Sequence, residues 1–228
     1  DGRFIALARF ESEQAARRNS DRPEQDRWWT ETAKLLTGEA TFSDSSDVTL
    51  DLPGDPDDSH SRYIEAEVGD FVVGSLYLPN GNPVGTEKFD YKIRWMERLG
   101  DHASELLADE RPVVLAGDWN VVPEDRDVFS VRATQHDAVM QPEARSAWRR
   151  LVHQGWTDSL RALHPDEPKL YTFWDYTAGC WQRDAGFRLD HLLCSPEAAD
   201  RLRGAGVDKW ARGQEKASDH APTWVELA

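Results

Sequence analysis

The chain has 228 residues, of which 39% are hydrophobic and 30% are charged, and its net charge is −15 at pH 7. This length allows one domain with a full hydrophobic core, and the lack of an apolar run of about 18 residues excludes a membrane-spanning helix. The negative charge argues against binding nucleic acid through bulk charge. A carboxylate site that holds cations would itself add negative charge, so such a site is not excluded.

The first ten residues contain no basic segment followed by a long apolar stretch, so a secretory signal is not expected and the cytoplasm is favoured. Cys180 and Cys194 do not belong to a C-x-x-C or Cys/His metal pattern. Two free thiols are therefore expected, with a disulfide as the alternative.

The N-terminal third predicts a short strand, two helices and then a hairpin. Residues 4–10 are mainly apolar and predict a strand, whereas 11–18 and 28–36 predict helices. A loop-like stretch over 37–47 and a turn-rich loop over 52–58 follow. Apolar and polar residues alternate over 62–68, and a turn at Gly69-Asp70 leads to a second strand over 71–78.

The remaining chain mixes helical periodicity with short buried strands. Residues 88–107 carry apolar side chains at helical spacing, namely Ile93, Met96, Leu99, Ala103, Leu106 and Leu107. A second helix is expected over 146–154, ended by Gly155. Buried strands are expected over 112–116, 189–194 and 221–227. This mixture predicts a layered α/β sandwich, with sheets inside and helices outside, formed by a single domain over 1–228.

A buried strand ends in the motif Gly117-Asp118-Trp119-Asn120. Period-two spacing at a strand end can aim Asp118 and Asn120 at one point. An aspartate there can bind a hard cation or transfer a proton, and an asparagine offers both a hydrogen-bond donor and an acceptor. A simple turn is the alternative, because glycine, aspartate and asparagine all favour turns.

Two further motifs place carboxylates and histidine near strands. Asp219-His220 precedes the last strand and joins a carboxylate to an imidazole that titrates near neutrality. Asp190 interrupts an apolar strand and needs a partner there; it could orient His220, as the acid of a catalytic triad orients its histidine. A surface pair at Asp219-His220 and a structural aspartate at 190 are the alternatives.

Two polar or aromatic clusters complete the set of candidate residues. Tyr77 and Asn80, in Tyr77-Leu78-Pro79-Asn80, lie just past a strand, where a phenol and an amide could bind a phosphate. The run 171–176 is dense in aromatic residues, which could form core or stack against a base. Six arginines in the C-terminal half could meet phosphates or simply be solvated: Arg145, Arg149, Arg150, Arg161, Arg183 and Arg188.

Taken together and in this order, these motifs resemble the exonuclease III and AP endonuclease family of the endonuclease/exonuclease/phosphatase superfamily. The matching segments are Y-L-P-N, G-D-W-N, Y-T-F-W, F-R-L-D-H-L-L and S-D-H-A-P, which span residues 62–227. The resemblance implies a DNase I-like four-layer α/β sandwich that uses Mg²⁺ or Mn²⁺. It implies a monomer that hydrolyses double-stranded DNA at abasic sites or from 3′ ends, with no membrane partner.

The resemblance also implies a role for each matching residue. Asp118 would orient or deprotonate the attacking water, Asn120 would help to hold it, and His220, with Asp190 as its partner, would contact the scissile phosphate. The phosphate would also be contacted by Tyr77 and Asn80. A pocket for a flipped abasic sugar would be lined by Phe173, Trp174, Phe187 and Leu189. Metal binding would involve Asp118, Asn120, Asp219 and His220.

Residues 1–47 do not match the family pattern. The expected W-N-x-N strand and the strand that ends in Q-E, whose glutamate binds metal, are not found as written. Glu11 ends the apolar stretch 4–10 and is a candidate for that glutamate, although it could equally be an exposed residue at a helix start. A phosphatase or phosphodiesterase of the same fold, or a DNA-binding module without a working metal site, therefore remain alternatives.

Overall fold

The computed structural model describes residues 48–228 continuously, together with six separate residues before them, Arg18, Arg22, Pro23, Arg27, Thr30 and Lys34. The chain divides into two units, Asp1–Asp44 and Ser45–Ala228, and the elements below belong to the second. Glu11 and the strand expected over 4–10 lie outside the described residues, as do most of the helices expected over 11–18 and 28–36. The assignment of 1–228 to one domain stays a prediction.

The larger sheet contains six strands in the order β1-β2-β3-β4-β6-β5. β3 and β4 run parallel, and the other neighbouring pairs are antiparallel. The hairpin of β2 and β3 turns at Gly69-Asp70, as predicted. The six strands are β1 (Val48–Leu50), β2 (Tyr63–Val68), β3 (Phe71–Tyr77), β4 (Val113–Asp118), β5 (Thr157–Asp158) and β6 (Asp190–Cys194).

Helices cover one face of this sheet. α1 (Glu87–Ala108) follows the predicted periodicity, and its buried stripe includes Trp95, Met96 and Leu99. The next long helix begins at Pro142, four residues before the predicted start, because proline is well suited to the first helical turn. It ends at Gly155, whose φ of 125° is poorly accessible to other residues. These helices and the sheet share the largest hydrophobic cluster.

A small second sheet packs on the opposite face. Val225 and Leu227 contact a cluster that includes Val114 and Leu192 of the larger sheet. Helices, the large sheet and the small sheet are therefore stacked in layers, which confirms the expected α/β sandwich. The small sheet was predicted only in part, because β7 carries Gly204 and Gly206 and lacks apolar alternation. Its strands are β7 (Leu202–Val207) and β8 (Thr223–Leu227).

Cys180 and Cys194 are free thiols, as expected. Among the described residues, no helix is long and apolar enough to cross a membrane.

The remaining helices are α2 (Val131–Thr134), α3 (Pro142–Gln154), α4 (Ser159–Leu163), α5 (Pro196–Ala199) and α6 (Lys209–Arg212), with 3₁₀ turns at Asp125–Asp127 and Ala138–Met140.

Candidate active site

Three predicted site residues lie in one row across the large sheet. Tyr77 at the end of β3 is the register partner of Asp118 at the end of β4, and Asp118 is in turn the partner of Asp190 at the start of β6. Side chains of directly opposed residues lie on the same face of a sheet. The sheet therefore brings together residues that are as much as 113 positions apart in the sequence.

Gly117 allows β4 to deliver Asp118 to this row. Its φ is 146°, and a Cβ atom at this position would lie 1.9 Å from the carbonyl oxygen of Leu76 in the neighbouring strand. Any side chain would push β3 and β4 apart. The Gly-Asp pair in the sequence thus has a structural cause, and the adjacent catalytic candidate depends on it.

Asp118 and Asn120 form a rigid pair. One Asp118 carboxylate oxygen accepts a hydrogen bond from the Asn120 backbone amide at 2.9 Å, and the other accepts one from Asn120 Nδ2 at 3.0 Å. Asn120 adopts a φ of 45°, a conformation that asparagine tolerates better than most residues. Burial, reinforced by repulsion from the Asp190 carboxylate, raises the pKa of Asp118 to about 6.

A chain of side-chain amides continues from this pair. Asn80 Nδ2 donates to Asn120 Oδ1 at 2.9 Å, and Asn82 Nδ2 donates to Asn80 Oδ1 at 2.8 Å. The Asn82 amide group also donates to Asp137 at 2.9 Å. Asn82 and Asp137 were not identified from the sequence, although Asn82 lies only two positions after the Y-L-P-N motif. They fix the orientation of the Asn80 amide toward Asn120.

His220 and Asp190 form the pair that the sequence suggested. His220 Nδ1 lies 2.7 Å from Asp190 Oδ2, and both side chains are partly buried. Burial alone would lower the pKa of His220, but the Asp190 hydrogen bond and the charges of Asp190, Asp118 and Asp219 outweigh it, so the pKa is raised. The imidazolium form is therefore favoured beside this cluster of carboxylates.

Aromatic side chains lie next to His220. The Phe173 ring centroid is 4.9 Å from that of His220 and 6.0 Å from that of Phe187. Phe129, half-exposed, meets Phe187 edge to face at 5.6 Å. Phe173 and Phe187 are only partly buried and pack on a cluster that contains Leu189. Phe129, Phe173 and Phe187 thus form an aromatic wall beside the polar row. The sequence did not indicate Phe129.

Two predicted pocket residues need correction. Trp174 is fully buried, packs against Tyr171 and Trp181, and donates its indole hydrogen to Asp184 at 3.2 Å. Its side chain has no exposed surface and so does not line a substrate-binding surface. Leu189 is 5% exposed and supports the aromatic wall from beneath. The family resemblance implied both residues as pocket lining, but both side chains are buried.

Two of the six candidate arginines form ion pairs inside the protein. Arg188 is fully buried: its guanidinium pairs with Asp127 at 2.9 Å and with Asp158 at 2.7 Å. Arg161 pairs with Asp127 at 2.8 Å. These two arginines serve a buried network and do not face DNA phosphates. The same network contains His191, whose pKa burial and the Arg188 charge lower to about 4.

The other four arginines lie nearer the surface. Arg145 pairs with Asp125 at 2.8 Å, and Arg149 and Arg150 are exposed on α3. Arg183 donates to the Ala178 carbonyl at 3.1 Å. Contact of these residues with phosphates stays a prediction.

Lys92 is the most unusual group near the site, and the sequence did not single it out. It projects from α1 with no exposed surface, and burial lowers its pKa to about 7 although the charges of Asp118 and Asp137 oppose the shift. Its position in Tyr91-Lys92-Ile93 reads as an ordinary exposed helix lysine. Only the folded structure shows that it lies beneath the motif loops.

The described residues do not complete a metal site by themselves. In residues 48–228 and the six described residues before them, no three His, Cys, Asp or Glu side chains are grouped so that they could hold a metal ion. Asp118 is held by Asn120, and His220 by Asp190. Asp219 is partly buried on the adjacent loop. The metal roles of Asp118, Asn120, Asp219 and His220 therefore stay predictions, as does that of Glu11.

Comparison with known proteins identifies relatives with DNA-directed activities. The chain is 31% identical over 202 residues to the exodeoxyribonuclease of Bacillus subtilis, covering 88% of this chain and 77% of that protein. It is 32% identical to the DNA repair nuclease APEX1 of Danio rerio, covering 79% of this chain and 56% of that protein. A structure of the 3′ phosphatase NExo from Neisseria, bound to a product DNA hairpin, superposes with a TM-score of 0.78 at 34% identity and covers 82% of this chain and 72% of that one.

A family model supports the same grouping. The model of the endonuclease/exonuclease/phosphatase family matches residues 40–220, which include every described motif from Y-L-P-N to S-D-H. This family comprises metal-dependent nucleases and related hydrolases. The sequence motifs, the layered fold and the row of polar residues agree with it, and the chain belongs to the endonuclease/exonuclease/phosphatase family, in its exonuclease III and AP endonuclease branch.

Proposed function

We propose that the chain hydrolyses phosphodiester bonds of double-stranded DNA at abasic sites or 3′ ends, and that the row at the sheet edge performs the reaction. The observation that carries this proposal is the juxtaposition of two polar pairs, Asp118 with Asn120 and Asp190 with His220. One pair suits a water molecule and the other suits an anionic phosphate. The names of the relatives, which include a DNA repair nuclease and a 3′ phosphatase, support the choice of DNA.

Asp118 is the proposed general base. A base is most effective when its pKa lies near the working pH, and the pKa of Asp118 is raised to about 6. Its carboxylate would take a proton from water as the water oxygen forms a bond to phosphorus and a P–O bond to the leaving oxygen breaks. The hydrogen bonds from Asn120 hold the carboxylate in one orientation for this transfer.

His220 is the proposed phosphate contact. Nδ1 is engaged by Asp190 at 2.7 Å, so Nε2 is directed away from that carboxylate and can donate to a phosphate oxygen. The raised pKa favours the charged imidazolium, which stabilises the negative charge that develops on the phosphate. Asp190 acts through His220 by fixing its tautomer and orientation.

Tyr77 and Asn80 are proposed to position the same phosphate. The Tyr77 ring is half-exposed at the strand end, and the Arg62 guanidinium lies 5.0 Å from its centroid. Asn80 is tied to Asn120 and Asn82 and so presents a fixed amide. Fixed hydrogen-bonding groups reduce the entropy lost when substrate and water are aligned.

The aromatic wall is proposed to receive the sugar of a flipped abasic nucleotide. Phe173 and Phe187 are partly buried and contact each other, and Phe173 adjoins His220, so a sugar held against them would lie next to the phosphate contact. An abasic nucleotide has no base to unstack or unpair, which lowers the cost of extruding it. Shape and cost together would favour abasic sites over intact DNA.

We propose Mg²⁺ or Mn²⁺ as the cation, with Asp219 as a ligand and Glu11 as a second carboxylate from outside the described residues. A hard cation takes oxygen ligands and commonly needs only one or two carboxylates with waters. When bound, it would neutralise charge on the phosphate. Asn120 orients Asp118, and Asp190 orients His220, without this cation.

The test is incubation of the purified chain with a 5′-labelled duplex that carries one abasic site, and with a matched duplex that ends in a 3′-phosphate. Cleavage or phosphate release in Mg²⁺ that stops in excess EDTA supports the proposal. Hydrolysis of small phosphodiesters or phosphoinositides without action on DNA would support the alternative phosphatase instead. Tight binding of the abasic duplex without cleavage in Mg²⁺ or Mn²⁺ would identify a DNA-binding module.

A further inference from the structure

The fully buried Lys92 connects two loops of the proposed active site. From its place on α1, Lys92 Nζ donates to the carbonyl oxygen of Pro79 at 3.1 Å and to that of Asn120 at 2.6 Å. Pro79 directly precedes Asn80, and the second carbonyl belongs to Asn120 itself. One ammonium group thus holds the backbone segments that carry the Asn80 and Asn120 side-chain amides.

Burial of this charge needs an explanation, because lysine is almost never fully buried without a partner. In the described part of the chain the acceptors of Lys92 are backbone carbonyls and not carboxylates, and the charges of Asp118 and Asp137 act on it without an ion pair. Desolvation of an ammonium group is costly. If the position only filled space, an apolar side chain of the same length would meet the need at lower cost.

The loop lies tightly over the lysine stem. Gly81 has a φ of 86°, and a Cβ atom there would lie 2.6 Å from Lys92 Cδ and 3.2 Å from Lys92 Cβ. The chain after Asn80 therefore crosses directly above the lysine. The close packing of Gly81 on the lysine stem and the hydrogen bonds to the Pro79 and Asn120 carbonyls leave the two loops little freedom to move apart.

The side-chain geometry of the site depends on this arrangement. Asn80 Nδ2 reaches Asn120 Oδ1 at 2.9 Å, and Asn120 Nδ2 reaches Asp118 at 3.0 Å. The first of these bonds spans the two loops, as does the 2.9 Å bond from Asn120 Nδ2 to the Leu78 carbonyl oxygen, so a shift of either backbone would lengthen them. A misplacement of about 1 Å in a catalytic group can cost about a hundredfold in rate.

We propose that Lys92 is a positioning residue that couples the Asn80 loop to the Asn120 loop and thereby aligns Asn80, Asn120 and Asp118 for the reaction. The inference rests on the proposed function and extends it to a group that does not touch the substrate. Lys92 acts through its two backbone acceptors, and the ammonium is required because one side chain must donate to two carbonyls at once.

The experiment compares Lys92→Met with the parent, using cleavage of the abasic duplex in Mg²⁺. Methionine keeps the length of the side chain and removes both donors. We expect kcat to fall by about tenfold to a hundredfold, with KM changed by no more than about twofold, because alignment rather than binding is lost. Lys92→Arg keeps two donors and should restore part of kcat.

Met96→Ala is the matched control. Met96 is buried one helical turn further along the same face of α1 and contacts no site loop through hydrogen bonds. It should lower the urea midpoint of unfolding and leave kcat of the folded enzyme unchanged. An equal loss of kcat in Met96→Ala would show that any damage to α1 has this effect, and would overturn the positioning role.

A double-mutant cycle with Asn80→Ala tests the coupling itself. The kcat losses of Lys92→Met and Asn80→Ala should be clearly less than additive, because both act through the Asn80 amide. Full additivity, or an unchanged kcat in Lys92→Met, would overturn the proposal. If Lys92→Met does not fold, Lys92→Leu, which also lacks both donors, takes its place in the cycle and the same two outcomes apply.

A structural readout separates this inference from the proposed function. The side-chain amide resonances of Asn80 and Asn120, assigned in ¹⁵N-labelled protein, should shift in Lys92→Met and stay in place in Met96→Ala. An inactive parent would defeat the proposed function, yet the amide shifts would still support the coupling. Unshifted amides in a folded Lys92→Met would overturn the coupling whatever the activity.

Discussion

The pair of Asp190 and His220 offers a sharp prediction, since its two members can be changed separately. Asp190→Asn removes the negative charge and keeps an oxygen that can accept from Nδ1, so the ring should stay near its present position. His220→Ala removes the proposed phosphate contact altogether. The hydrogen bond between them is 2.7 Å long, and the side chains are 29% exposed for His220 and 18% for Asp190.

The expected losses follow from the strength of this bond. A hydrogen bond to a charged group contributes about 1.5–3 kcal/mol, and partial exposure places this one toward the lower end. About 2 kcal/mol corresponds to roughly thirtyfold in rate. We therefore expect Asp190→Asn to lower kcat about thirtyfold. His220→Ala should lower it about a hundredfold or more, the usual scale for losing a positioned acid or charge stabiliser.

The assay is single-turnover cleavage of an abasic duplex by the parent, both single variants and the double variant. The double variant should be no slower than His220→Ala alone, because Asp190 acts through the histidine. Circular dichroism and a urea titration of each variant exclude unfolding as the cause. Strictly additive losses would show that Asp190 does not act through His220 and is a structural residue.

Three further predictions concern the pocket, the buried network and the N-terminal region. Phe187→Ala should reduce the ratio of abasic to intact duplex cleaved and leave the Mg²⁺ dependence unchanged, since the ring lies in the aromatic wall; an unaltered ratio would remove it from the pocket. The pKa of His191 is lowered to about 4 in the folded protein, whereas the same side chain should have a pKa near 6.5 in the unfolded protein. Between pH 4 and pH 6.5 the unfolded state therefore binds an extra proton. The free energy of unfolding should fall as the pH drops from 6.5 toward 4, by about 3 kcal/mol in all, and His191→Gln should flatten this slope in urea titrations at several pH values. Glu11→Gln should raise the Mg²⁺ concentration needed for half-maximal cleavage, with Glu13→Gln as the control; identical metal titrations would place the ligand elsewhere.

Local patterns predicted the elements whose physics is itself local. The periodic apolar residues of α1, the alternation in β2 and β3, and the glycine at the end of α3 each determined structure within a few neighbours. Gly117-Asp118 likewise marked the region of the strand end, although β4 continues to Asp118, two residues beyond the expected end, and the close approach of β3 explains the glycine. The pairing of Asp190 with His220 was suggested by analogy with a catalytic triad, in which an acid orients a histidine.

Features that depend on distant partners could not be predicted in this way. Arg188 was considered as either a phosphate contact or a solvated surface charge, but it is buried against Asp127 and Asp158, which lie 61 and 30 positions earlier in the chain. Its place between Phe187 and Leu189 was a usable signal, because a charge within an apolar run requires a buried partner. Lys92 gave no such signal, since its acceptors are backbone carbonyls, which every residue possesses.

The role of Asp118 as the base can be decided by the single-turnover rate of abasic-duplex cleavage in Mg²⁺ for the parent and for Asp118→Asn. The substitution is nearly isosteric and keeps the hydrogen-bonding oxygen next to Asn120, but it removes the proposed base. We expect the parent to cleave, excess EDTA to stop cleavage, and Asp118→Asn to bind the duplex with similar affinity but cleave at least about a hundredfold more slowly. Cleavage by Asp118→Asn at the parental rate would show that Asp118 is not the base.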